Sequence, residues 1–476
     1  MAPRIGAEGQ APPRLRRTSG ELTKMASAAE QLAANLNFGA FAKAEELKKR
    51  IWFTLAALVV YRLGTFIPIP GVDPTAFGQA FQSSQTGILG MFNMFAGGAV
   101  ERMAIFALNI MPYISASIIM QLMSSINPTL EQLKKEGEQG RKQINQYTRY
   151  LTVILAAFQA YGIAIGLEGT RAASGPVVID PGWFFRLTTV VTLVGGTMFL
   201  MWLGEQITAR GVGNGISLII FAGIVATLPS ALAALFELAR TGSLSTIMLL
   251  LLLVLMLGVV VVIVFMERAQ RRIPIQYPKR QVGNRMFQGD SSHLPLKLNS
   301  SGVIPPIFAS SLLLLPITAA QFMSGSGPEW LNTIVAALGR GQPLHLAIYV
   351  ALIIFFAFFY TAVVFNPQET AENLRKYGGF ILGYRPGQKT AEYIDYVLTR
   401  ITVVGALYLA AVCVLPEFLI SYAAVPFYFG GTSLLIVVSV TMDTVAQVQS
   451  HLLAHQYEGL IKKAKLRGAT TTRGRR

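Results

Sequence analysis

Ten apolar runs constrain this chain more than any other feature. They lie roughly at Ile51–Ile69, Phe106–Met123, Tyr150–Ile165, Trp183–Trp202, Gly215–Leu235, Ile247–Met266, Val303–Phe322, Leu346–Phe365, Thr402–Leu419 and Phe427–Val445. Each is close to the ~20 residues an α-helix needs to cross a bilayer. In lipid every backbone N–H and C=O must find its partner inside the segment, so spans of this kind are helices. Composition agrees: the chain is 53% hydrophobic and 13% charged, with a mean hydropathy of +0.49, where soluble domains carry about 25% charge. The sequence therefore predicts an all-α polytopic membrane protein, one bundle of spans in place of several soluble domains.

The net charge of +16 over 476 residues could point to nucleic acid, but its placement argues otherwise. The N-terminal tail, the loops after the second, fourth, sixth and eighth spans, and the C-terminal tail hold 34 of the 40 Lys and Arg residues. The opposite side holds five, Arg102, Arg171, Arg186, Arg240 and Arg340, and Arg62 falls within the first span. That asymmetry is the positive-inside pattern, and it places both termini in the cytoplasm. Ten spans divide into five and five. The sixth then starts with topology opposite to the first, which permits two pseudo-symmetric inverted halves. The expected halves are 51–235 and 236–447, divided by the short external loop Ser230–Ser245. Pro229 is expected to shorten the fifth span, and Pro305, Pro306 and Pro316 to kink the seventh.

Residues 1–24 are rich in Pro, Arg and Gly and are expected to be a disordered extension. Met25 opens a more ordinary N-terminus and is a candidate start, and no signal-peptide apolar core occurs in 1–50. Residues 25–50 form a cytoplasmic segment whose FAKAEELKKR stretch at 41–50 has the spacing of an interfacial helix. Residues 448–476 are a basic cytoplasmic tail. Two cytoplasmic loops, about 267–300 and 366–400, are too long to be simple turns. The first alternates basic and apolar residues, with Gly283-Asn284 as a hairpin signal. Loops of this size commonly carry function, and a mixture of aromatic and basic residues can grip an acidic or helical partner.

Motifs for covalent chemistry are missing from the sequence. There is no P-loop pattern and no G-x-S-x-G elbow. Gly211 to Gly215 (GVGNG) lacks the full dinucleotide fingerprint and is a tight loop leading into the fifth span. His451 and His455 are spaced i, i+4 but have no third ligand beside them. Cys413 is the one cysteine and sits in an apolar run, where plain packing accounts for it. No metal, no cofactor and no enzymatic activity are expected. Within the spans the ionisable residues Glu205, Glu267, Glu417 and Asp443 cluster at helix ends, and Arg62 is the deepest. An ion-coupled carrier would place such groups in the interior. The alternative of a secondary transporter for a small solute, and a third reading as an intramembrane hydrolase, are therefore disfavoured.

The stretch Met91–Ile126 is unlike the rest. It opens as a short, Gly-broken, non-spanning piece and is expected to run directly into a full apolar helix, with Ile110, Ile114 and Ile118 on one face. A short half-helix followed by a span suggests a segment folded back into a cavity, because irregular backbone at membrane depth is tolerated only inside protein or beside water.

Taken together, several segments resemble the SecY family, the pore-forming subunits of the Sec protein translocon. They are RLGTFIPIPGVD at 62–73, NMFAGGAVERMAIFALNIMPYISASI at 93–118, KKEGEQGRKQINQYTRY at 134–150, TMFLMWLGEQITARGVGNGIS at 197–217, VIPPIFASS at 303–311, FNPQETAENL at 365–374, YRPGQ at 384–388 and VPFYFGGTSLLIVV at 425–438. The resemblance covers about Met25 to Arg467. It implies a channel between two five-helix halves, with a pore ring of Ile110, Ile114, Ile216, Ile220, Ile307 and Ile436. It implies that residues 91–103, with Phe95, Gly97, Gly98 and Arg102, form a short re-entrant plug helix. The second, third, seventh and eighth spans would make a lateral gate carrying Gln121 and Asn299, whose hydrogen bonds hold it closed. Arg271, Arg272, Lys279, Arg280 and Arg385 would dock a partner. This chain departs from the family at Asn284, which stands in place of a basic residue, and in its N-terminal extension.

By the same resemblance the function would be to conduct unfolded preproteins across the cytoplasmic (inner) membrane and to release apolar segments sideways into lipid. Implied partners are SecE- and SecG-type small membrane subunits, the SecA motor ATPase, the ribosome, signal sequences and nascent spans, membrane lipids, and accessory SecDF- and YidC-type proteins.

Overall fold

A computed structural model describes residues 45–82, 93–172, 175–242, 245–277, 280–282, 285–287, 291–322, 337, 342–423 and 431–472. The extension 1–24, the start of the plug segment, Lys279 and the Gly283-Asn284 turn lie outside the described residues. The chain divides into a large unit, Arg50–Gln447, and a small one made of 1–49 and 448–476.

The elements in order are α1 (Glu45–Gly64), α2 (Pro74–Gln82), α3 (Met111–Ile126), α4 (Pro128–Lys135), α5 (Glu138–Gly169), β1 (Arg171–Ala172), β2 (Gly175–Pro176), α6 (Trp183–Arg210), α7 (Gly215–Arg240) and α8 (Thr246–Arg268). There follow β3 (Gln270–Gln276), β4 (Arg280–Val282), β5 (Arg285–Phe287), β6 (Ser291–Lys297), α9 (Ile304–Phe322), α10 (Pro343–Val364), α11 (Pro367–Lys376), β7 (Phe380–Ile381), α12 (Gln388–Ala423) and α13 (Gly431–Thr472). Helices thus stand at all ten apolar runs. Seven of them among the described residues, α5, α6, α7, α8, α10, α12 and α13, are long and apolar enough to cross a membrane; α3 and the start of α9 are shorter apolar helices. The first two turns of α1 are charged, so its apolar part is short.

Two boundaries differ from expectation. Helix α7 passes through Pro229 and ends only at Arg240, so the connection to α8 is much shorter than Ser230–Ser245. The Thr227 and Ser230 hydroxyls bond back to the carbonyls of Ile224 and Thr227 on the turns beside the proline. Helix α3 starts at Met111, five residues later than its hydropathy suggests. Pro112 lies in its first turn, where a missing N–H costs nothing; one turn deeper its ring would collide with the preceding carbonyl.

One hydrophobic core joins α1, α3, α6, α7, α9, α10, α12 and α13, with α8 adding Ile263; Tyr61, Ile110, Leu200, Ile219, Ile353, Leu409 and Leu435 are fully or almost fully buried. A second cluster packs α5 against α6 through Ala156, Ala160, Ala164 and Leu193. These alanines recur at i, i+4, i+8, a small-residue stripe that lets the two helices approach closely.

The two long loops form a single module outside the helices. β3 pairs antiparallel with β6 along its whole length, from Gln270 opposite Lys297 to Gln276 opposite Ser291. β7, from the other loop, adds to the free edge of β3 with Ile275 opposite Ile381. Ile273, Leu296, Ile381 and Ile394 fill the space beneath this sheet. The period-2 alternation of β3 turns Ile273 and Ile275 inward and Arg272 outward, while Arg271, at the strand's start on the isoleucine side, is exposed as well. β4 and β5 form a separate hairpin, Val282 opposite Arg285, around the Gly283-Asn284 position.

Candidate functional site: an isoleucine constriction under an irregular loop

Residues 93–110 make one helical turn at Asn93–Phe95 and then a succession of turns. The expected re-entrant helix through Met103 is therefore not continuous among the described residues. Gly97, Gly98, Met103 and Asn109 all take positive φ, which no helix tolerates. The loop is nevertheless buried: Phe95, Ala96, Ala99, Ala104 and Leu108 are almost inaccessible. Much of its polar backbone is paired within the protein. Ile69 N–H donates to the Met103 carbonyl and Ile105 N–H to the Ile67 carbonyl, which ties the loop to the chain just after α1. Asn109 Nδ2 donates to the Phe95 carbonyl at 2.6 Å, and Arg62 Nη1 to the Gly97 carbonyl. The loop crosses α7 where that helix has Gly223; a Cβ at Gly223 would collide with the Phe95 carbonyl, and a Cβ at Gly97 would stand 3.1 Å from Gly223 Cα.

Below this loop four isoleucines meet. Ile110 and Ile114 from the start of α3, Ile220 from α7 and Ile307 from α9 line one small cavity with Phe95, Asn109, Met111 and Ser310. Its free space is about 10 Å³, room for roughly one water centre at most. Ile216 and Ile436 do not line this cavity. Ile436 is 1% exposed in the same core, and Ile216 packs against that core one turn before Ile220. Ile110 is the N-cap of α3, so the i, i+4 pair is formed by a cap and a helical residue; Ile114 N–H makes the first helical bond back to the Ile110 carbonyl.

The two predicted gate residues are not joined. Asn299 is buried; its Nδ2 donates to Glu267 Oε1 at 2.6 Å and to the Gly302 carbonyl at 3.1 Å, and its Oδ1 accepts from Ser301 Oγ. The amide is consumed at the junction of α8 and α9. Among the described residues Gln121 Oε1 on α3 is buried without a partner. Contact between α3 and α9 is made instead by Ser311 Oγ on Met111 Sδ at 3.8 Å.

On the sheet module Arg271, Arg272 and Arg385 are all exposed. Arg385 sits in a tight turn whose carbonyl accepts from Thr390 Oγ1, next to a Tyr384–Tyr393 stack at 4.1 Å. Arg280 lies on β4 by its backbone. Asn109, Tyr61, Gly223 and Glu267 belong to this site and carry no role in the sequence reading. An asparagine three residues before a proline inside an apolar run was the available signal for the first of them.

A family model for SecY matches residues 104–445. The chain is 56% identical over 422 residues to protein translocase subunit SecY of Rickettsia conorii, spanning 89% of this chain and 97% of that one. It is 57% identical over 424 residues to the Escherichia coli K12 subunit of the same name, spanning 89% and 96%. The chain belongs to the SecY family. Solved structures agree on the fold. A protein-conducting channel matches with a TM-score of 0.63 at 17% identity, over 85% of this chain and 92% of that one. Sec61 of the canine ribosome–channel complex matches with 0.60 at 17% identity, over the same shares. In this SecY-family chain the constriction and the irregular loop both fall within or beside the matched region.

Proposed function

We propose that this chain is the channel subunit of a Sec protein translocase, and that the isoleucine-lined constriction is where an unfolded polypeptide crosses the membrane. One observation carries the reading: side chains from α3, α7 and α9 close to a gap about the size of one water, with a buried loop over it. Apolar walls this tight block ions by dewetting, yet helix movement can open them for a wide, flexible substrate. β-branched isoleucine is stiff at χ1, so widening comes from the helices and not from rotamers. Ile216 and Ile436 complete the ring as the helices part. Residues 93–103, with Phe95, Gly97, Gly98 and Arg102, act as the plug and move aside.

The lateral gate lies between α3 with α5 and α9 with α10. An entering segment leaves sideways when lipid suits it better. Insertion values of about −0.3 to −0.6 kcal/mol for Leu, Ile, Phe and Val against +2.5 to +3.5 for Asp, Lys and Arg make that sorting steep. Arg271, Arg272, Lys279, Arg280 and Arg385 dock a SecA-type motor or a ribosome; one solved relative is a Sec61 channel in a ribosome complex. SecE- and SecG-type subunits accompany the chain, SecDF- and YidC-type proteins assist it, and both termini face the cytoplasm of an inner membrane. No covalent step is assigned to this chain, so energy comes from the motor, the ribosome or the membrane potential. The lining of the constriction contains no ionisable residue, which weighs against an ion-coupled solute carrier.

The test is reconstitution. Vesicles containing this chain and its small subunits, given SecA, ATP and a preprotein, should protect that preprotein from external protease. Solute uptake without preprotein protection would overturn the proposal.

A further inference from the structure

At the end of α1 two cations share one aromatic ring. The Arg62 guanidinium carbon lies 4.8 Å from the centroid of Phe66, and that of Arg102 lies 4.3 Å from the same centroid. The two charges are therefore within the ~10 Å over which ions interact at 0.1 M salt. Arg62 spends Nη1 on the Gly97 carbonyl and, at 3.4 Å, on Thr65 Oγ1. Arg102 makes no hydrogen bond and no ion pair among the described residues, and its Nη1 is shut off from solvent. The adjacent carboxylate, Glu101, is turned to Asn93: Asn93 Nδ2 donates to Glu101 Oε2, and Asn93 Oδ1 accepts from Glu101 N–H.

A partly buried guanidinium with five donors and no acceptor is costly. A second cation beside it adds repulsion, and the ring quadrupole offsets only part of this. An anion bridging the two would satisfy both, and guanidinium forks match phosphate oxygens. The surroundings favour an anion carried on an apolar body. Leu63, Phe66 and Ile67 are 63%, 51% and 52% exposed, an apolar collar around the charged pair. We propose that Arg62 and Arg102, set against Phe66, bind a phosphate-class anion supplied by an acidic phospholipid headgroup, with acyl chains along the collar.

The full chain with its small subunits, in neutral detergent, is titrated with short-chain phosphatidylglycerol, short-chain phosphatidylcholine or inorganic phosphate while thermal unfolding is followed. Phosphatidylglycerol should raise Tm by several degrees and phosphatidylcholine should not. Arg102→Gln, which removes no hydrogen bond, should need at least ten times more phosphatidylglycerol for the same shift, and Arg102→Lys should fall between. An equal shift with inorganic phosphate, lost in Arg102→Gln, would keep the site and make free phosphate its ligand. Equal responses to the two lipids, or an Arg102→Gln response matching the unmutated protein, would overturn the proposal. If Arg102→Gln does not fold, Phe66→Ala takes its place: both cations remain but the ring that sets them is gone, and an unchanged phosphatidylglycerol response there overturns it equally.

Discussion

Helix α8 and the loop 93–110 are opposite answers to the same bilayer. The most apolar 18-residue window of Ile247–Arg268 has a mean hydropathy of 3.6, and only 11% of that window is buried. Its interior backbone bonds are made within the helix, and its described side chains are exposed or half-buried, with Leu252 and Ile263 the buried exceptions. The loop makes few helical bonds, sets two non-glycine residues at positive φ, and lies almost wholly inside protein. Hydropathy alone ranks α8 as the stronger membrane segment, yet α8 is the less constrained of the two. Regular backbone in lipid needs only apolar side chains. Irregular backbone at that depth needs specific partners, and each partner is a point where a substitution tells.

The largest effect is expected at the junction of loop and helix. Replacing Ile110 by Gly, alone or with Ile436→Ser, removes buried volume from the constriction and its core. Such cavities cost about 2–5 kcal/mol, and ion conductance in a planar bilayer should rise above that of the unmutated channel. Unchanged conductance would remove these residues from the barrier. Gly223→Ala comes next. The added methyl collides with the Phe95 carbonyl, and overpacking of this kind costs about 1–3 kcal/mol; thermal unfolding in detergent and basal leak both report it. Asn109→Ala loses the bond to the Phe95 carbonyl and puts alanine at positive φ, at about 1–3 kcal/mol. Asn109→Gly keeps only the first penalty, so comparing the two separates hydrogen bond from backbone.

The same change made in α8 should point the other way. A Cβ at Gly258 meets nothing within 4 Å, so Gly258→Ala should stabilise by about 0.5–1 kcal/mol or less. Destabilisation there would show that α8 is as constrained as the loop. The smallest effect is a pH slope. Asp73 accepts from Thr75 Oγ1 and from the N–H groups of Thr75 and Ala76 at the start of α2, and these bonds hold its carboxyl below the usual range. Its contribution is present above the unfolded pKa and is lost as pH falls through the folded one. Asp73→Asn should flatten the acid limb of the unfolding curve slightly.

Much of the fold was legible because apolar length acts locally, each run answering to lipid on its own. The start of α3 was legible in part, since Pro112 marks a first turn that hydropathy alone runs past. The proline in α7 misled in the other direction, because the helix runs on through it to Arg240. The hairpin signal at Gly283-Asn284 falls between two strands that do pair. Nothing in the alternation of β3 says that its other edge takes β7 from a loop about a hundred residues later. The two loops became one module only because each offered an apolar face too small to stand alone.

At the site the division is similar. Isoleucines at 110, 114, 220 and 307 could be named from motifs, but their meeting at one gap depends on how α3, α7 and α9 pack. Asn299 was legible as a polar position at the end of an apolar run, but its partner was not: its amide turns to Glu267, a carboxylate at the end of α8. The sequence by itself determined ten helices, their apolar lengths and the charge on their loops, because solvation of each segment decides those. Tertiary structure decided which faces close the passage, which carbonyls the loop surrenders to side chains, and which cations are left without an anion, because those depend on distances between parts far apart in the chain.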